Sequence, residues 1–155
     1  MKRRQILGWL ASAAWLPWLA RAQAPGKDSP RIEILVSEPG IVAVTKGARL
    51  ERGRVKMELP VIADNGNAVP LKISVASPMT PTDHVRAIHL VSDRNPVPNM
   101  ASFHLGPHSG RAELETRVRL AGSQNVTVIA EMSDGTFWMD RSHVQVTLSA
   151  CADES

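Results

Sequence analysis

Cysteine and aromatic residues are scarce in this sequence. Its 155 residues include one cysteine, Cys151, no tyrosine and two phenylalanines. A single cysteine excludes an internal disulfide bond, so the thiol is reactive, pairs with another molecule, or is incidental near the chain end. Aromatic residues make up 4% of the chain, and three of the four tryptophans lie within residues 1–24. The core must therefore be aliphatic, and no aromatic platform for stacking bases or sugars is available.

Residues 1–24 have the pattern of an export signal. Lys2, Arg3 and Arg4 precede an apolar run, and small residues such as Ala22 and Ala24 follow it. The apolar run, about 15 residues, is shorter than the roughly 20 that span a membrane. The Arg3-Arg4 pair favours a twin-arginine-type signal, although a general export signal can also contain two arginines. We expect cleavage after this segment, periplasmic localisation, and no membrane anchor.

The basic charge of the chain belongs to this leading segment. The whole sequence has 18 Lys and Arg against 15 Asp and Glu. Four of the basic residues and none of the acidic ones lie within residues 1–24, which leaves 14 against 15, a net charge of −1. The rest of the chain therefore gives no support to nucleic-acid binding.

Short runs of alternating apolar and polar residues fill the remainder. This period-2 pattern, interrupted by turn residues and without a long helical period, predicts a β-sandwich of about seven strands over residues 25–148. The segment 64–67, Asp-Asn-Gly-Asn, predicts a tight turn at positive φ, whereas residues 37–53 indicate no clear element. The predicted strands are 32–36, 54–59, 69–76, 84–91, 101–105, 111–120, 124–132 and 143–148.

No catalytic or metal-binding constellation is visible in the sequence. His104 and His108 are four residues apart, but Gly106-Pro107 between them excludes a shared helix face. A cysteine hydrolase would need Cys151 held rigidly beside a base and an oxyanion hole, which a short terminal tail does not supply. We therefore expect no metal, no cofactor and no cysteine hydrolase activity.

Several segments resemble the SoxY-type proteins, the sulfur-carrier subunits of the periplasmic thiosulfate-oxidising (Sox) system. Residues 57–70 (MELPVIADNGNAVP) resemble the family segment LP-x-x-A-E-N-G-x-x-VP, and residues 93–103 (DRNPVPNMASF) resemble NP-x-P-x-(V/A)-x-F. The match continues through 77–85, 116–120 and 134–135, and a cysteine follows the last predicted strand. The resemblance covers nearly the whole chain after the signal, in the same order.

The resemblance implies an immunoglobulin-like antiparallel β-sandwich that forms a heterodimer with a SoxZ-type subunit. It also implies that Cys151 carries the sulfur compound and that the carrier is not itself the catalyst. A Sox haem protein would join thiosulfate to the thiol oxidatively. A hydrolase would release sulfate, and a sulfane dehydrogenase would process the remaining sulfur.

The tail, residues 149–155, differs from the Gly-Gly-Cys-Gly-Gly arm of that family. Ser149 and Ala150 precede Cys151, and Ala152 and Asp153 follow it. Glycine gives a carrier arm the least bulk and the widest backbone freedom, so these substitutions stiffen the arm. Asp153 and the next residue, a glutamate, add negative charge that opposes the thiolate. The alternative is therefore a non-carrier periplasmic interaction module with a degenerate tail.

Overall fold

A computed structural model describes residues 38–149. The predicted signal, the predicted strand 32–36 and the tail from Ala150 to Ser155 lie outside these residues. The described part contains one short helix, nine strands and two 3-10 turns, Gly66–Ala68 and Pro107–Ser109. The helix and strands are α1 Pro39–Thr45, β1 Leu50–Arg52, β2 Val55–Glu58, β3 Ile62–Asn65, β4 Val69–Val75, β5 Val85–Ser92, β6 Asn99–His104, β7 Glu113–Val118, β8 Gln124–Met132 and β9 Phe137–Leu148.

The strands form two sheets, which confirms the predicted all-β sandwich. The larger sheet has the order β1-β9-β8-β5-β6, and β3 pairs with β9 further along that strand. The smaller sheet has the order β2-β4-β7. The pairings of β9 with β1 and with β3 are parallel, and the others are antiparallel. Two short strands therefore pair along the edge of β9 that faces away from β8: β1 near its beginning and β3 near its end.

The core lies between the two sheets and is aliphatic, as the scarcity of aromatic residues predicted. Alternate residues of β4 are buried, and the even-numbered residues from Ala112 to Leu120 are all less exposed than the charged ones between them. Each fully buried aliphatic side chain contributes about 1.5–3 kcal/mol relative to an exposed one. The six predicted strands from 54–59 to 124–132 correspond to β2 and β4–β8.

Helix α1 covers part of the other face of the larger sheet. Pro39 occupies the first helical turn, where its missing N–H is not needed, and Lys46 ends the helix in the left-handed conformation. Ile41 is fully buried in a second, smaller core against the sheet. The other buried members of this core are Leu50, Val91, Ile129 and Met139.

Two local expectations differ from the structure. The segment 64–67 is not a tight turn at positive φ: β3 runs through Asn65, and a 3-10 turn follows in which the Asn65 side chain accepts a hydrogen bond from the Asn67 N–H at 2.8 Å. Gly66 is not among the residues with positive φ. The last strand begins at Phe137 rather than at His143, because its first half pairs with β8 and β1.

Candidate functional site

The structure describes the base of the predicted carrier tail. Of the predicted site residues, Ser149 is described, whereas Arg3, Arg4, Ala150, Cys151, Ala152 and Asp153 lie outside the described range. Ser149 follows β9 directly and is exposed. The relevant geometry is therefore that of the residues around Ser149, from which the tail leaves the sandwich.

The end of β9 is held on both sides. On one side β3 runs parallel to it, and the Thr147 hydroxyl donates a hydrogen bond of 2.7 Å to the Asp64 carbonyl. On the other side the Ser123 hydroxyl accepts a hydrogen bond of 2.9 Å from the Val146 N–H. Side-chain bonds to backbone groups at a strand end replace the ladder bonds that are missing there. The tail thus begins from a fixed position.

Three residues form a corner where the tail begins, which we call the tail base: Arg94, Gly122 and Ser149. A Cβ atom placed on Gly122 would lie 3.5 Å from the Ser149 Oγ and 3.8 Å from both Nε and Cζ of Arg94. The Arg94 Nη1 also donates a hydrogen bond of 3.4 Å to the Ser123 carbonyl. No carboxylate among residues 38–149 pairs with Arg94, so this corner has an exposed cation beside the first tail residue.

Asn95 fixes the loop that carries Arg94. Its Nδ2 donates to the Arg119 carbonyl at 2.8 Å, and its Oδ1 accepts from the Ala121 N–H at 2.9 Å and from the Gln124 Nε2 at 3.0 Å. The loop between β5 and β6 is thereby tied to the connection between β7 and β8. Sequence reasoning assigned no role to Asn95, although it lies in the segment Asn-Pro-x-Pro that carries the resemblance.

Two pockets lie on the sandwich, and the second borders the loop that carries Arg94, because Asn95 is part of its lining. One of about 840 Å³ is lined by β2, β4 and β7, where the Lys72 ammonium pairs with the Glu115 carboxylate at 2.9 Å. This hydrogen bond raises the pKa of Lys72. The second, of about 390 Å³, lies between β6 and β7 and includes Phe103 and Arg119. Neither lining contains a histidine, so neither offers the usual general base.

The histidines do not assemble into a metal site in the described structure. The His89 Nδ1 lies 2.8 Å from the Ser102 hydroxyl, and the rings of His89 and His104 meet edge to face with centroids 6.5 Å apart. Burial lowers the pKa of His89, against the opposing effect of the nearby Glu131 carboxylate. No group of three or more His, Cys, Asp or Glu side chains within residues 38–149 is arranged to hold a metal ion.

Across residues 38–149, no helix has both the length and the apolar character needed to cross a bilayer.

Comparison with known proteins gives one family and several structures of similar fold. The sulfur carrier protein SoxY from Chlorobium limicola f thiosulfatophilum is 25% identical, with a TM-score of 0.58 over 70% of this chain and 93% of that chain. The superoxide reductase (neelaredoxin) from Ignicoccus hospitalis is 17% identical, with a TM-score of 0.54 over 61% of this chain and 80% of that chain. At that identity, the likeness to the reductase shows the fold alone.

No curated protein matches the sequence. Residues 41–151, however, match the family described as Sulfur oxidation protein SoxY, which is most of the chain. The matched range includes the described sandwich from the middle of α1 onward and ends at the single cysteine. Three observations agree: the order of the segments 57–70 and 93–103 and the cysteine that follows them, the two-sheet fold, and this match. The chain belongs to the SoxY family of sulfur oxidation proteins.

Proposed function

We propose that this chain is a carrier of sulfur compounds that holds them covalently on Cys151. The observation that carries the proposal is that the family match extends to Cys151, only three residues beyond Leu148, the last residue of β9. Support also comes from the solved structure of similar fold, which is described as a sulfur carrier. A thiolate is a strong nucleophile, and a cysteine on a tail beyond the last strand can present a bound group to other proteins.

The proposed loading step is an oxidation. The Cys151 thiol and thiosulfate form a sulfur–sulfur bond, with loss of one proton and two electrons, and a Sox haem protein accepts the electrons. Hydrolysis by a second protein then adds water, releases sulfate and leaves a persulfide on Cys151, which a sulfane dehydrogenase oxidises further. In this scheme the chain supplies the attachment point and its partners supply catalysis, so it is not itself an enzyme.

The partner and the location follow from the same assignment. We propose a heterodimer with a SoxZ-type sandwich subunit, formed before export through the twin-arginine-type signal at residues 1–24. The paired Arg3 and Arg4 support this route, which is read by a receptor and does not anchor the protein. The site of action is then the periplasm.

A non-carrier interaction module is the second candidate. The observation that favours it is the tail itself, in which Ala150 and Ala152 flank the cysteine and two acidic residues, Asp153 and Glu154, follow. Negative charge near a thiol disfavours the thiolate and repels anionic sulfur compounds, although water screens this effect in an exposed tail. In this reading the sandwich binds a partner without thiol chemistry.

The test is the intact mass of the mature protein purified from the periplasm with its partner, before and after a reductant. We expect a reductant-labile adduct of sulfur or thiosulfate that maps to Cys151 by peptide analysis. A Cys151→Ser variant serves as the matched control and should carry no adduct. A bare thiol after incubation with thiosulfate and the complete oxidising enzymes would refute the carrier role and favour the interaction module.

A further inference from the structure

Strand β7 lies at the edge of the smaller sheet, where it pairs with β4 and with no other strand among residues 38–149. The Val75 N–H donates to the Ala112 carbonyl at 2.9 Å, so the even-numbered residues from 112 to 118 bond to β4. Pro70, which has no N–H, lies opposite Arg117, as this alternation requires. The odd-numbered residues of β7 therefore point their N–H and C=O groups toward the open edge.

The core behind this edge is incompletely covered. The inward-facing Leu114 and Thr116 are only half-buried, whereas Val118 at the end of the strand is buried. Met100 and Phe103 of β6 are also half-buried, and the pocket of about 390 Å³ lies between β6 and β7. Strand β7 contains neither a proline nor a bulge, the usual devices that prevent another strand from pairing. An added strand would find both hydrogen-bonding groups and apolar surface to cover.

The exposed charges along this edge are arranged so that the sequence complements itself. Glu113 and Glu115 come first, Arg117 and Arg119 follow, and all four side chains are exposed. In an antiparallel pair of identical strands centred on Thr116, Glu115 lies opposite Arg117 of the other copy. Glu113 then lies opposite Arg119, and two-fold symmetry makes each of these pairs occur twice. Opposite charges in directly facing positions stabilise a strand pair.

Other registers of the same pairing are opposed by charge. A centre at Glu115 places the Glu115 side chains of both copies opposite each other, and a centre at Arg117 does the same with arginines. Like charges in facing positions destabilise a strand pair, so the charges select one register. Asn95 limits the edge at its far end, because its Nδ2 donates to the Arg119 carbonyl at 2.8 Å. The favoured pairing therefore centres on the middle of β7.

We propose that the open edge of β7 binds a second copy of this chain in an antiparallel, two-fold arrangement centred on Thr116. The smaller sheets of the two copies, with three strands each, join into one continuous sheet. Glu115 and Arg117 exchange both backbone hydrogen bonds across the contact as well as pairing their charges. Leu114 of each copy lies opposite Val118 of the other, which extends the cover over the half-buried core.

This arrangement keeps the two tail bases apart. Leu120 of one copy lies opposite Ala112 of the other, so the two Leu120 residues are about 26 Å apart along the strands, at about 3.3 Å per residue. Gly122 of the tail base follows Leu120 closely in each copy. The contact therefore requires no disulfide bond between two Cys151 thiols and is insensitive to reductants. It goes beyond the proposed carrier function and leaves the tails and the larger sheet to other partners.

The test is the number of copies of the chain per particle, measured by sedimentation equilibrium on the mature chain with its partner in the presence of a reductant. We expect association to two copies as the concentration rises to about 0.5 mM, because a contact made by one strand edge is small and weak. Glu115→Arg and Arg117→Glu each place like charges opposite each other at two symmetric positions. Each variant should raise the dissociation constant of the dimer at least about tenfold.

Mixing the two variants is the decisive measurement. Both positions are then positive in one copy and negative in the other, so the mixture should dimerise with a dissociation constant close to the wild-type value. This rescue also controls for the ion pair with Lys72 that Glu115→Arg removes. Circular dichroism checks that each variant is folded. Arg52→Glu, the same charge reversal on β1 of the larger sheet, should leave the dissociation constant unchanged.

Three outcomes would overturn the proposal. The first is one copy per particle for the wild type throughout this concentration range. The second is association that both single variants retain. The third is a mixture that fails to restore the dimer, because the edge would then bind a different strand or its charges would only protect it from pairing. None of these outcomes affects the carrier function, which is tested separately by the mass of the adduct on Cys151.

Discussion

Two neighbouring residues of one loop, Asp93 and Arg94, belong to two corners of the sandwich that differ in how their charges are paired. The Asp93 carboxylate accepts hydrogen bonds from the Asn125 side chain and backbone and lies 3.4 Å from the Arg141 guanidinium. Arg141 also pairs with Glu38 at 2.7 Å, where α1 begins. In this helix corner each of these charges has a partner. One residue further along, Arg94 contacts a backbone carbonyl and borders the exposed Ser149.

The two corners also differ in packing: the helix corner is tightly packed, and the tail base is open. A Cβ on Gly40 in α1 would lie 2.7 Å from the Pro98 Cβ and 2.8 Å from the Val91 Cγ1, so there is no space for a methyl group. A Cβ on Gly122 at the tail base would make ordinary contacts of 3.5 Å or more. The comparison teaches that the helix corner is closed by packing and ion pairs, whereas the tail base is open and carries an exposed arginine.

The substitution with the largest expected effect removes one core side chain beneath α1. Ile129 is fully buried among Ile41, Val91 and Met139. We expect Ile129→Ala to lower the free energy of unfolding by about 2–5 kcal/mol, because a cavity remains where the side chain was. Urea unfolding followed by circular dichroism measures this change. Val42→Ala, on the exposed side of the same helix, should stay within about 0.5 kcal/mol. Equal losses would contradict a closed helix corner.

A matched pair of glycine substitutions sharpens the packing comparison. Gly40→Ala should lower the free energy of unfolding by about 1–3 kcal/mol, because Pro98 and Val91 must move to accept the methyl group. Gly122→Ala should be close to neutral, since neither a clash nor a positive φ opposes it. Thermal unfolding of both variants with the wild type gives the difference. The contrast fails if Gly122→Ala is the more destabilising change.

The elements that the sequence alone predicted are those whose evidence is local. In strands β4 and β7, inward-facing residues alternate with more exposed ones over six or more positions, so the pattern reports both strand and face. Strands β1 and β3 have three and four residues and pair in parallel with the distant β9. Their stability comes from that long-range pairing, which no local pattern contains.

The sequence did not predict helix α1, because its first residues are compatible with either a turn or the start of a helix. Pro39 and Gly40 are usual chain breakers, but proline suits the first turn of a helix, and this glycine is required by the close approach of Pro98. The candidate site likewise contains one residue that the sequence identifies and one that only the fold identifies. Cys151 could be singled out as the lone thiol and from the family segments, whereas Arg94 could not, because only the fold brings residues 94, 122 and 149 together.

The smallest predicted effect compares the two arginines directly. Arg141→Gln should lower the free energy of unfolding by about 1 kcal/mol, because the Arg141 side chain is only 23% exposed and its loss leaves Glu38 and Asp93 without their cation. Arg94→Gln should change stability by less than about 0.5 kcal/mol, since it breaks no ion pair in the described structure. Chemical denaturation at low salt measures both changes. If Arg94→Gln were as destabilising as Arg141→Gln, Arg94 would be a structural residue, and the contrast between the two corners would fail.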